Sequence, residues 1–128
     1  MFVRFVIGET DPNSGRRQGL FQAAKKLRVS GKLTDEDAGH LKAIRGWFDE
    51  HLERSARLAI SSRSNGKAQA INWFKDTATT HIEKMREMQE VLERYGLLVQ
   101  MIKAKRLGYV LYEDEFQIAA YPFSDTRT

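Results

Sequence analysis

The chain has 128 residues, a net charge of +4 and no cysteine, with 41% apolar and 30% charged residues. This is one domain of ordinary size, able to bury a core without staples, and its composition is neither disordered nor disulfide-framed. The lack of cysteine excludes a thiol nucleophile and any thiolate metal site, and it suits a reducing cytoplasm.

The opening "MFVRFVIG" places Val3, Phe5 and Ile7 on one face and Arg4 on the other, which predicts a strand. Arg4 interrupts the run, so a strand is expected here rather than a signal peptide. No apolar stretch approaches the ~20 residues that span a membrane. In "GLFQAAKKLRV", Leu20, Ala23, Ala24 and Leu27 recur at helical spacing, with Gly31 placed as a C-cap. The first helix is expected over roughly Gly15 to Val29, capped by Asn13 or Ser14.

"KLTDEDAGHLKAIRGWFDEHLER" carries the clearest helical pattern. Thr34 is its N-cap, and Asp35, Glu36 and Asp37 favour the positive end of the helix dipole. Leu41, Ile44, Trp47 (or Phe48) and Leu52 form its apolar stripe. The short link to the preceding helix predicts an antiparallel hairpin. "SSRSNGK", Ser61 to Lys67, reads as an exposed loop. "AQAINWF" predicts a short strand, and "DTATTHIEKMREMQEVLERYG" a third helix ended by Gly96. Phe74, Ala78, His81, Met85, Met88 and Leu92 line that helix's apolar face. "LLVQMIKAK" predicts a strand, and "GYVLYEDEFQIAAYPF" two strands around Glu113-Asp114-Glu115, with Pro122 ending the pairing.

This order is not the strict alternation of a doubly wound fold. It predicts a two-layer α+β domain, with three helices packed on one face of a four- to five-stranded, mostly antiparallel sheet.

Several residue groups point towards chemistry. Arg16 and Arg17 fall in the first turn expected for the first helix, where a positive charge costs ~0.3–1 kcal/mol when exposed. With Ser14 and the free backbone N–H groups they would bind an anion such as phosphate. The simpler reading has Glu9 and Asp11 neutralising the arginines around an Asp-Pro turn. No phosphate-binding glycine motif accompanies them.

His81 sits on the apolar face of the third helix, and His40 and His51 share a face of the second. Convergence of the three imidazoles would make an acid–base or metal site; otherwise each is a buried or half-buried histidine with one partner. No HExxH-type spacing appears, and neither a metal nor a cofactor is expected. The acids of "YEDEF" form either a solvated turn or, with Tyr112 and Gln117, the wall of a polar cleft that Trp73 and Lys75 would also border. Asp114 and Asp11 are then carboxylate candidates for acid–base work beside His81. Lys25-Lys26-Arg28 and Lys103-Lys105-Arg106 would support nucleic-acid binding only by merging with Arg16 and Arg17 into one patch. Met85 and Met88 read as core or as a dimer face.

Trp73-Phe74-Lys75, His81, Met85, Gly96, Arg106, Gly108-Tyr109, Tyr112-Glu113-Asp114 and Gln117 together resemble a pattern in small uncharacterised bacterial proteins. The resemblance covers somewhat less than half the chain. It implies a bacterial origin and no particular activity.

These features support two classes of function. One is a binding or interaction module with an anionic ligand, a nucleic acid or a protein as partner, a second copy of the chain included. The other is a small enzyme for an anionic, phosphate-containing substrate, with His81 or a carboxylate as acid–base and no role at a membrane.

Overall fold

The structure is a computed structural model and describes residues 1–10, 17–53 and 70–123. Asp11, Ser14, Arg16 and the segment Ser61 to Lys67 lie outside the described residues.

Strand β1 (Phe2–Thr10) is the axis of the sheet. One of its edges pairs with β4 (Val99–Ala104) from Phe2↔Ala104 to Ile7↔Val99. Its other edge is shared. β3 (Ile71–Lys75) takes the N-terminal end through Val3↔Phe74. β2 (Arg17–Gly19) takes the C-terminal end through Val6↔Gly19 and Thr10↔Arg17. β6 (Gln117–Tyr121) pairs with β3, and β5 (Tyr109–Glu113) pairs with β6. All these pairings are antiparallel, and six strands result among the described residues where four or five were expected. The extra one is β2, whose three residues are too few to show a two-residue period.

β2 also corrects the first helix. Arg17 is a strand residue, and α1 runs Leu20–Ser30 with Gly19 as an N-cap that offers no side-chain hydrogen bond. Residues 17–19 satisfy their backbone groups against β1, so the helix starts later than Asn13 or Ser14 would suggest. Arg17 is therefore not in the first turn of a helix. Its Nη1 donates to Gln100 Oε1, and its carbonyl accepts from Arg4 Nη2. Gly31 ends α1 with φ 73°, a left-handed value that glycine adopts without strain.

α2 (Asp35–His51) starts as its sequence indicates, with Thr34 accepting from the Asp37 N–H at 3.2 Å. α3 spans Thr79–Arg94. The Asp37 carboxylate ties the start of α2 to the end of α3. It accepts from Tyr95 Oη and Arg94 Nη1, both at 2.7 Å. The tyrosine hydrogen bond and the nearby guanidinium outweigh burial, which acts in the opposite sense, and hold this carboxyl below its ordinary range.

The helices cover one sheet face. Val3, Phe5 and Ile7 meet Met85, Met88, Val91 and Leu92 there, with Leu20, Ile44 and Phe48 packed above. Met88, Val91 and Leu92 are at most 1% exposed, so α3 is the inner helix. The opposite face buries Val6, Ile71, Trp73, Ile102 and Ile118 with Leu107. At Gly108, φ is 129° and an added Cβ would lie 2.0 Å from the Tyr121 carbonyl oxygen, so only glycine fits the entry to β5. No helix among the described residues is long and apolar enough to cross a membrane.

α1 and α2 run antiparallel as expected. Phe21 at the start of α1 meets Phe48 near the end of α2, ring to ring at 5.0 Å. Both lean on α3 more than on each other, and a groove opens between them with Met88 at its base.

Candidate functional site

Two concave regions merit comparison. The first is a cleft of about 630 Å³ between the C-terminal end of α2 and the β5–β6 turn. Tyr112 and Asp114 line it, opposite Asp49 to Glu53. The residues expected to form a polar cleft are thus partly assembled. Asp114 Oδ2 accepts from Tyr112 Oη at 2.7 Å and from Gln117 Nε2 at 3.0 Å. Its Oδ1 accepts the backbone N–H groups of Phe116 and Gln117 at 2.8 and 3.0 Å. Gln117 is itself buried, donates to the Glu53 carbonyl and accepts from Asn72 Nδ2.

Asp114 is therefore the organiser of the turn. Burial acts to raise its pKa, but the donors from Gln117, Tyr112 and the two backbone amides prevail and hold it low. The same hydrogen bond, aided by burial, pushes Tyr112 up to about 12. A carboxylate so held stays ionised with its lone pairs occupied, which suits anchoring better than proton transfer near neutral pH. Among the described residues, Asp49, Glu50, Glu53, Asp114 and Glu115 give the cleft an acidic lining, at the negative end of the α2 dipole. That sign repels the anionic substrate an enzymatic reading requires.

The other expected cleft residues lie elsewhere. Lys75 forms an ion pair with Glu113 at 2.7 Å. Trp73 faces the other side of the sheet, 1% exposed, and its indole N–H has no hydrogen-bond partner among the described residues.

His81 is 4% exposed and walled in by rings, stacked on Phe116 at 4.3 Å and edge-on to Trp47 at 4.8 Å. Its Nε2 lies 3.0 Å from the His51 carbonyl oxygen. A carbonyl only accepts, so Nε2 carries the proton. His51 also stacks on Trp47, at 4.4 Å, while His40 pairs with Glu87 at 3.3 Å. Two histidines thus share a tryptophan and the third stands apart. No group of three or more His, Asp or Glu among the described residues is arranged to hold a metal.

The second concave region is the groove between α1 and α2, of about 840 Å³. Phe21, Ala24, Leu33, Leu41 and Met88 supply its apolar surface. Lys25 and Arg28 stand along the α1 side, Lys42 and Arg45 along the α2 side, and Asp49 is the lone carboxylate among the described lining residues. All four cations are exposed, and none of them forms an ion pair among the described residues. Gly39 and Gly46 open the α2 wall, and a Cβ added at either meets nothing within 4 Å.

This groove is not among the sites expected from the sequence. The expected basic patch joins Lys25-Lys26-Arg28 to Lys103-Lys105-Arg106, Arg16 and Arg17, whereas the fold brings Lys25 and Arg28 opposite Lys42 and Arg45. The available signal was the i, i+3 spacing of both basic pairs and the i, i+7 spacing of the glycines.

Compared with family models, with curated proteins and with solved structures, the chain matches none.

Proposed function

We propose that the protein is a small binding and interaction module whose anionic partner is held in the groove between α1 and α2. The observation that carries this reading is the meeting of Lys25, Arg28, Lys42 and Arg45 around an apolar floor, with one carboxylate among them. Four like charges on two facing helices repel one another, and an anionic partner relieves that repulsion. The apolar floor adds a contact that salt does not screen.

This moves the anion-binding role from the α1 N-terminus to the face of the helix pair. Arg17 supports it poorly where it was first expected, because its guanidinium already donates to Gln100 and it precedes the helix. The binding reading is favoured over the enzymatic one by the sign of the cleft at Asp114 and by the enclosure of His81.

A titration of labelled poly-L-glutamate into the protein tests the reading. Binding is expected at low ionic strength, to weaken as salt rises, and to fall by about tenfold or more (~1.4 kcal/mol) in the double variant Lys42→Glu/Arg45→Glu. Absence of binding at low salt, or binding indifferent to the charge reversal, would overturn it.

A further inference from the structure

We infer that the natural occupant of the α1–α2 groove is an acidic amphipathic helix of a partner protein. This rests on the anion-binding reading above and narrows it to one class of macromolecule.

The shape of the groove argues for a helix. It lies between two antiparallel helices over a third, so its walls are helix flanks and it presents no strand edge for an extended peptide to join. Along α2 it runs from Ala38 to Asp49. At ~1.5 Å per residue that is about 16 Å, room for about three helical turns. Its base is Met88, a side chain that adapts to varied apolar partners.

The glycines supply a separate argument. Gly39 and Gly46 are seven residues apart on α2, so they lie two turns apart on one face. Neither has the positive φ that would call for glycine, and neither is crowded by a neighbour. Nothing among the described residues requires glycine at these positions, although each disfavours the helix relative to alanine. What they allow is close approach of another backbone, as small residues do where helices cross at short interaxial distance.

The charges then fix the partner's sign. A helix seated on the floor presents its flanks to Lys25 and Arg28 on one side and to Lys42 and Arg45 on the other. Glutamates or aspartates on both flanks of an apolar stripe complement that arrangement. A nucleic-acid backbone would match the charges but leave the apolar floor without a partner.

The test is selection from a displayed peptide library against the full chain at low salt. Each peptide is about 14 residues, with glutamates fixed on both flanks of an Ala, Leu, Ile or Met stripe. A control library has the same composition with a central proline, which breaks the helix. Two variants accompany the wild type. Lys42→Glu/Arg45→Glu reverses the rim. Gly39→Leu/Gly46→Leu fills the groove with side chains that point into open space and favour the helix, so circular dichroism should show the fold intact.

The expected result is enrichment of the helical library over the control, with affinity of the selected peptides falling by about tenfold or more in each variant. No enrichment, or binding untouched by the glycine substitutions, overturns the inference. If poly-L-glutamate binds and the charge reversal abolishes it while the helical peptides do no better than the proline controls, the anionic groove stands and the helix is wrong. If a DNA duplex binds more tightly than the helical peptides and ignores the glycine substitutions, the partner is nucleic acid and the inference fails. If no anionic probe binds, both readings fall.

Discussion

Replacing Gly39 and Gly46 together by alanine should stabilise the protein. Both lie inside α2, about a turn or more from its ends. A glycine in a helix interior costs ~0.5–1 kcal/mol relative to alanine, because the unfolded chain gains more freedom than the folded one can recover. An added Cβ meets no atom of another described part of the chain within 4 Å at either site, so no clash there offsets that gain. The sites are about 10 Å apart along the helix, far enough for their effects to add. The double variant should therefore gain ~1–2 kcal/mol. For a domain of this size that corresponds to a rise of about 3–10 °C in Tm. Thermal and urea unfolding followed by circular dichroism would read it, with the urea midpoint rising and the slope unchanged. A loss of stability would mean that a Cβ does meet something at these positions. The groove would then be closed in the free protein, and the reasoning that makes it a docking surface would fail.

Three further outcomes follow from the same geometry. Gln18 is fully buried and neither polar atom of its amide has a partner among the described residues, so Gln18→Met should raise stability by about 1–2 kcal/mol in urea unfolding; a loss would mean the amide is hydrogen-bonded. Thr34→Ala removes the cap on the Asp37 N–H and should cost ~1 kcal/mol, read the same way, whereas an unchanged urea midpoint would remove the cap from the account. Asp37 and Asp114 are both held below their ordinary value of 3.8, so their contribution to stability is present above that pH and is lost as pH falls through it towards their folded values. Acid unfolding of Asp37→Asn and Asp114→Asn should accordingly be less steep in that window than for the wild type, and an unchanged profile would contradict the assigned networks.

Much of the helical layer was legible in the sequence, because helices announce themselves through local chemistry. Thr34 followed by three acids marked the start of α2, Gly31 and Gly96 marked helix ends, and the period of Ala78, His81, Met85, Met88 and Leu92 identified a buried face, although Phe74, expected on the same face, belongs to β3. β2 was not legible. Arg17-Gln18-Gly19 has no pattern of its own and is a strand only because β1 leaves half of one edge free beyond β3. That same pairing delays α1 to Leu20 and takes Arg17 out of the helix start.

The candidate sites divide in the same way. Tyr112, Asp114 and Gln117 lie close in sequence and do form a hydrogen-bonded group, but whether Asp114 acts as anchor or acid depends on donors that only the folded turn supplies. The burial of His81 followed from helical spacing, while its neighbours Phe116, Trp47 and the His51 carbonyl come from distant elements. The groove depends on how far α1 and α2 spread over α3, and no local pattern records that distance. Its glycines and basic pairs were visible in the sequence without anything to connect them.

The most direct test of the groove is an NMR titration of the ¹⁵N-labelled protein with poly-L-glutamate at low salt. The backbone amides of Gly39, Gly46, Lys42, Arg45, Lys25 and Arg28 should shift together, with small changes elsewhere. Shifts concentrated at residues 13–17, or at Asp49 to Glu53 and the β5–β6 turn, with the amides of Gly39 and Gly46 unmoved, would contradict the account.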